Sequence, residues 1–285
     1  MTEMEGIKGV VENFVKLTQN KAAQRELPSH LENDGLMYCD ICGAPIQCRV
    51  KLFDEERVLP CTCDCEKAER ERLEEEKRKA DIMENVRKLR ISGFDSSEMQ
   101  KWRFETDDGK QAEATKVSKN YVKNFDKLKS MGKGLLLCGN VGTGKSFQAA
   151  CIANALIDQN VPVLMTRIAR IVNDLQNSLA GRNEYFDKLN RYDLLILDDL
   201  EAERNTEYVN EITFEVIDGR YRSGKPLIIT TNVTHSEMLS EQDIKKRRVY
   251  SRILERCYPF EVKGHDRRKA SHVSDFAEMK KLLEG

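Results

Sequence analysis

Four short apolar runs mark the later part of the chain: Gly134–Cys138, Pro162–Ile168, Tyr192–Leu200 and Pro226–Asn232. Each has the length of a strand, and near-continuous apolar runs are what strands covered on both faces require. Stretches with helical spacing lie between them, at residues 146–159, Arg170–Leu179 and Thr206–Arg222. A further helical stretch, Gln111–Leu128, leads into the first run. Strands that alternate with helices predict the α/β class, a parallel sheet flanked by helices.

The first third reads differently. Val10, Val11, Phe14, Val15 and Leu17 give residues 1–30 a rough helical stripe. Residues 36–65 are short-patterned and punctuated by Gly43, Pro45 and Pro60, with Ile46–Phe53 able to form a short strand. Residues 66–90 are charged throughout, which predicts a solvated helix held by i,i+4 pairs and able to link two modules.

Length and charge narrow the classes. The 285 residues suit one large or two modest domains, and the net charge of −1 confines any nucleic-acid site to a local patch. No apolar run is long enough to cross a bilayer, so no membrane partner is expected. The first ten residues carry acidic groups and do not read as a signal peptide. The expected compartment is cytoplasmic, where cysteines serve as metal ligands or buried thiols rather than disulfides.

The first run continues into Gly139-Asn140-Val141-Gly142-Thr143-Gly144-Lys145-Ser146, a complete phosphate-binding loop, and Phe147 carries the chain on into a helix. Glycines let backbone N–H groups cradle phosphates, and the helix adds its positive end. Lys145 reaches the β- and γ-phosphates, and the Ser146 hydroxyl belongs in the Mg²⁺ shell. ATP or ADP with Mg²⁺ is therefore the expected ligand pair.

The run Leu194–Leu197 ends in Asp198 and Asp199. A buried strand delivers such carboxylates at the edge where α/β sheets bind ligands. Asp198 is expected to hold Mg²⁺ through water, and Asp199 to act as general base, with capping of the next helix as its alternative role. Asn232 closes the next run, placed to hold the attacking water or sense the γ-phosphate. Residues 245–256 carry Lys245, Lys246, Arg247, Arg248, Arg252 and Arg256, and a second basic group follows at Arg267, Arg268 and Lys269. One of these arginines is a candidate to stabilise transition-state charge; spacing alone does not choose it.

Six of the nine cysteines lie between Cys39 and Cys65. Cys39-Asp-Ile-Cys42 is a knuckle, and Cys61, Cys63 and Cys65 follow about 20 residues on, a spacing that suits a tetrahedral structural Zn²⁺. Cys39 and Cys42 are ligands on this reading, with two of Cys61, Cys63 and Cys65. Cys138, Cys151 and Cys257 read as core residues.

The phosphate loop, the Asp198-Asp199 strand, Arg220 through Asn232, Ser251-Arg252-Ile253 and Gly264-His-Asp-Arg-Arg268 occur in this order. Over roughly residues 95–275 the set resembles the AAA+ ATPases of the replicative helicase loaders, the DnaC/DnaI type, and their transposon relatives of the IstB type. The resemblance implies a sensor 1 role for Thr231 and Asn232. It further implies a trans-acting arginine finger at Arg252, a sensor 2 arginine at Arg268, and Cys63 with Cys65 as the second zinc pair. Many AAA+ proteins carry Glu where this chain has Asp199, so hydrolysis is expected to be slow.

The implied organisation is a small helical zinc-binding domain over 1–90, charged linker included, and an AAA+ ATPase domain over 91–285. The implied activity is DNA-stimulated ATP hydrolysis that loads a hexameric replicative helicase onto single-stranded DNA, with self-association through the AAA+ domain. A transposition accessory ATPase and a non-hydrolysing adaptor are the alternatives.

Overall fold

The computed structural model describes residues 28–52, 55–177, 181–200, 206–264, 266, 279–280 and 282–284. The chain divides into two compact units between Asp81 and Ile82.

The second unit is built on a five-stranded, wholly parallel sheet of β5 (Gly134–Cys138), β6 (Val163–Thr166), β7 (Leu194–Leu200), β8 (Leu227–Thr231) and β9 (Cys257–Glu261). The order across the sheet is β6-β7-β8-β5-β9. The four apolar runs are thus strands, and β8 lies beside β5, with Leu135 opposite Ile228. The fifth strand has no sequence signal of its own because Tyr258 and Glu261 lie on an exposed edge.

Each strand sends alternate residues to opposite faces, which is why the runs are unbroken. Leu135, Leu137, Leu194, Ile196 and Ile228 pack with Ala149, Ile152, Ala153 and Leu156 of α4 (Lys145–Asp158) and Tyr121 of α2 (Ala112–Lys123). On the other face, Leu136, Leu195, Leu197 and Ile229 meet Ile171 of α5 (Ile168–Asn177), Ile212 and Val216 of α7 (Glu207–Ser223), and Val249 and Ile253 of α9 (Ile244–Arg256). The expected helix Gln111–Leu128 is two, since α2 stops at Lys123 and α3 (Phe125–Ser130) begins after Asn124. Helices α6 (Arg182–Arg191) and α8 (His235–Ser240) complete the unit.

One buried cation ties the strand starts together. The Arg220 guanidinium, 1% exposed, donates to the carbonyls of Tyr192 at 2.9 Å and Pro226 at 2.6 Å, just ahead of β7 and β8. Burial pulls this arginine down to about 10, and the carbonyl dipoles take the place of the water it has lost.

In the first unit, β1 (Ser29–Leu31) pairs with β2 (Met37–Cys39), and β3 (Gln47–Leu52) with β4 (Glu55–Pro60), both antiparallel. Ser29 and His30, expected at the end of a helix, are therefore strand; residues 1–27 lie outside the described residues. The core here is small: Cys39, Ile46 and Cys63, with Met37, Ala44 and Cys65 against them. Helix α1 (Asp64–Ser92) buries none of its side chains and is laced by pairs such as Arg72 with Glu69 and Glu76, the solvated helix expected of 66–90.

Candidate functional site

The carboxyl ends of β5, β7 and β8 converge. The loop after β5 turns through Gly139 (φ 128°) and Gly144 (φ 94°), a left-handed backbone closed to most side chains. Gly144 then stands as the N-cap of α4, whose first residue is Lys145. Thr143 is fully buried and its hydroxyl donates to the Asn140 carbonyl at 3.0 Å, bracing the loop from inside. Lys145, 7% exposed, donates through Nζ to the carbonyls of Gly139 at 2.8 Å and Asn140 at 2.7 Å, and to Oδ1 of Asn232 at 2.9 Å. The loop lysine and the residue that ends β8 are thus in direct contact across 87 positions of sequence.

Strand β7 does not run straight into its carboxylates. Its pairing with β8 slips between Leu197 and Leu200, and Asp199 takes φ 57°. A non-glycine residue in that region costs of order 1 kcal/mol or more and persists where the surroundings hold it. The surroundings here are Thr230: its hydroxyl accepts the Asp199 N–H at 2.8 Å and donates to Oδ1 of Asp198 at 2.7 Å. The bulge thus sets both acidic residues against Thr230 of β8, Asp198 through its carboxylate and Asp199 through its backbone N–H. The cap of α7 is Thr206, whose hydroxyl accepts the Val209 N–H, so the alternative role for Asp199 as that cap is excluded.

Thr231 is placed apart from its neighbour. Its hydroxyl donates to the Leu200 carbonyl at 2.9 Å and accepts from the Val233 N–H, so it staples the bulge, while Asn232 faces Lys145. Ser146 is half-buried at the start of α4, Val141 is exposed at the loop tip, and the Phe147 ring lies 5.9 Å from that of Trp102. A β-carbon at Gly142 would collide with the carboxylate of Asp266, so that acid lies against the phosphate loop. Arg252 contacts Asp218, Phe214, Tyr221 and the Arg248 carbonyl, all on α7 and α9. Arg268 lies outside the described residues.

Thr230 is the site residue that sequence reading missed. It reads as one more strand threonine, and only the register slip reveals its two bonds. Thr230→Val keeps the shape but strands a buried N–H and frees the Asp198 carboxylate to turn, costing about 1–3 kcal/mol of local stability. The expected result is turnover lowered about tenfold to a hundredfold with ATP affinity nearly unchanged, and Thr230→Ser close to wild type. Steady-state turnover beside an ATP-binding titration checks it, and wild-type turnover in Thr230→Val would refute it.

The first unit carries a second constellation. Sγ atoms of Cys39, Cys42, Cys63 and Cys65 all lie within 4.8 Å of one another. A tetrahedral zinc thiolate site needs sulfurs roughly 3.8 Å apart, from Zn–S bonds of about 2.3 Å, so this donor set fits zinc. The knuckle forms because Gly43 (φ 67°) lets its N–H reach the Cys39 carbonyl at 2.8 Å, and Cys63 and Cys65 flank the first residue of α1. Backbone N–H groups of Cys42 and Ile41 draw the Cys39 thiol down to about 7, while the hydrogen bond to Cys42 pushes Cys65 up to about 11. Cys61 is turned to the Pro45 carbonyl, outside the set.

Comparison with known proteins agrees with this architecture. Residues 66–274 match the model of the IstB-like ATP binding protein family. The replicative helicase loader DnaI of Bacillus subtilis (strain 168) is 29% identical over 161 residues, 52% of this chain and 51% of that protein. The protein y4iQ/y4nD/y4sD of Sinorhizobium fredii (strain NBRC 101917 / NGR234), whose name assigns it to an insertion sequence and to ATP binding, is 37% identical over 116 residues, 39% of this chain and 38% of that protein. The matches thus span about half, or less, of the length of these relatives. Among solved structures, the crystal structure of the DnaI superposes with a TM-score of 0.50 at 25% identity, covering 63% of this chain and 98% of that one. The fold is that of a P-loop AAA+ sheet, no helix among the described residues is long and apolar enough to cross a membrane, and the chain belongs to the IstB-like ATP binding protein family.

Proposed function

We propose that this protein is an ATP-hydrolysing loader that places a hexameric replicative DNA helicase on single-stranded DNA, with ATP acting as a switch. The observation that carries the ATPase part is the meeting of Lys145, Asn232, Asp198 and Asp199 at three adjacent strand ends, where Lys145 is bonded to Asn232 and, separately, Thr230 to Asp198 and to the Asp199 N–H. The DnaI relationship and the cysteine module favour a loader.

In this mechanism Lys145 exchanges the carbonyls of Gly139 and Asn140 for phosphate oxygens, joining the N–H groups of the loop from Gly139 to Phe147. Ser146 and Asp198 would hold Mg²⁺, which would neutralise phosphate charge when bound. Asp199 accepts the proton of the attacking water, and Asn232, fixed by Lys145, orients that water. Arg252 reaches the nucleotide of a neighbouring subunit, and Arg268 serves as the sensor 2 arginine. The shorter reach of Asp199, against the usual Glu, keeps turnover slow, which suits a switch in the cytoplasm. The cysteine domain, with zinc on Cys39, Cys42, Cys63 and Cys65, grips the helicase.

The relative named for an insertion sequence keeps one second reading in view, a transposition accessory ATPase acting on duplex DNA. The test is ATP turnover of wild type and Arg252→Ala with no DNA, with single-stranded DNA and with duplex. The loader is expected to be stimulated by single strands, and Arg252→Ala to lose about 10³-fold in turnover if its finger acts as arginine fingers do. Stimulation by duplex alone favours transposition, and ATP binding without turnover under any condition overturns the enzyme.

A further inference from the structure

Arg252 is held more firmly than an arginine waiting to reach another subunit needs to be. Its Nε lies 2.8 Å from Oδ1 of Asp218, an ion-pair approach in which the N–H is not aimed squarely at the oxygen. Its guanidinium lies 4.7 Å from the centre of the Phe214 ring and 5.8 Å from that of Tyr221, and Nη1 donates to the Arg248 carbonyl at 3.2 Å. Asp218, on α7, is 8% exposed, and its other oxygen is held by Arg222 at 2.7 Å. The neighbouring turn is fixed in the same way, with Arg256 over Tyr221 and the Tyr221 hydroxyl bonded to Glu255.

A buried carboxylate between two arginines on a helix pair needs a reason, because a surface ion pair adds little stability and a buried one is costly to desolvate. A long arginine on a solvated face loses much rotamer freedom when it engages a phosphate. One whose stem already stacks on an aromatic ring and whose Nε is already paired loses less, and presents its remaining amine in a fixed direction. Among the described residues the contacts engage Nε and Nη1, and Nη2 is the amine proposed to meet a phosphate. On the reading of Arg252 as the trans-acting finger proposed above, we infer that Asp218 is its positioning residue, holding the guanidinium at Nε so that it enters the neighbouring nucleotide site already oriented.

Asp218→Asn keeps the volume and the fold and removes the charge that fixes Nε. It is expected to lower turnover about tenfold or more while KM for ATP and the ATP dissociation constant stay within about twofold. Asp218→Glu, which keeps the charge, recovers most of the turnover. Mixing supplies the readout that a structural role would not move. Lys145→Met subunits do not hydrolyse ATP but keep an intact finger, so adding them to Asp218→Asn subunits restores turnover at the Asp218→Asn nucleotide sites. The same addition restores Arg252→Ala. If Arg252→Ala hydrolyses ATP as wild type does, the finger itself is wrongly assigned. If Arg252→Ala is inactive and rescued while Asp218→Asn is either fully active or inactive and not rescued, the finger stands and the role of Asp218 is overturned.

Discussion

Lys145→Met is expected to abolish ATP turnover while leaving the sheet intact. The substitution keeps the apolar stem, which is buried at the head of α4, and removes only the ammonium group. That group sits at 2.7–2.9 Å from two loop carbonyls and from Asn232. Deleting it costs the loop its charged donor and costs Asn232 the partner that fixes it, so two parts of the site fail together. Losing a single preorganised donor of this kind costs about 10²–10³ in kcat. Arginine is not expected to rescue, because its planar fork cannot replace a compact ammonium enclosed by three oxygens. Turnover and fluorescent-nucleotide binding, read beside the melting temperature, check the prediction. Wild-type turnover in Lys145→Met, with an unchanged melting temperature, would remove the phosphate loop from the chemistry.

What the sequence made legible was whatever is local. The phosphate loop, its strand and its helix are contiguous, so Gly139–Ser146 can be read by eye, and the apolar runs mark β5 to β8 because both faces of each are covered. What it hid was long-range. The link between Lys145 and Asn232, and the slip that ties Asp198 and Asp199 to Thr230, depend on β8 lying between β5 and β7. Arg220 stood at the head of one of the ordered motifs, and the carbonyls it is buried under have positions that no local pattern discloses. Asp218 was hidden for the same reason, since its partner Arg252 lies on another helix. In the first unit the expected strand Ile46–Phe53 is β3, Gln47–Leu52, whereas β1 and β2 were unread because three-residue strands such as Met37–Cys39 carry too few positions to show alternation.

The first unit should prove the most sensitive to a single change of conditions. Its described core is three buried residues, two of them cysteines, too little apolar surface to offset the entropy of ordering the chain around it. Structural zinc contributes about 10–16 kcal/mol of apparent binding free energy in comparable zinc-finger peptides, more than such a core supplies. Stripping the metal from the purified full-length chain is therefore expected to unfold residues 28–63 while the AAA+ sheet, with its own two-faced core, stays folded and keeps ATP binding. The protein is expected to release one zinc ion per chain to a colorimetric chelator on thiol modification. Cys39→Ser and Cys63→Ser should lose the metal and open the hairpins to proteases, and Cys48→Ser and Cys61→Ser should keep it. The last comparison is the sharpest, because Cys61 lies two residues from Cys63 yet points to the Pro45 carbonyl. Loss of zinc from Cys61→Ser with retention in Cys65→Ser would show that the cluster closes on a different pair of sulfurs. A chain that holds no zinc and keeps its hairpins would show that the four thiols are packed for themselves.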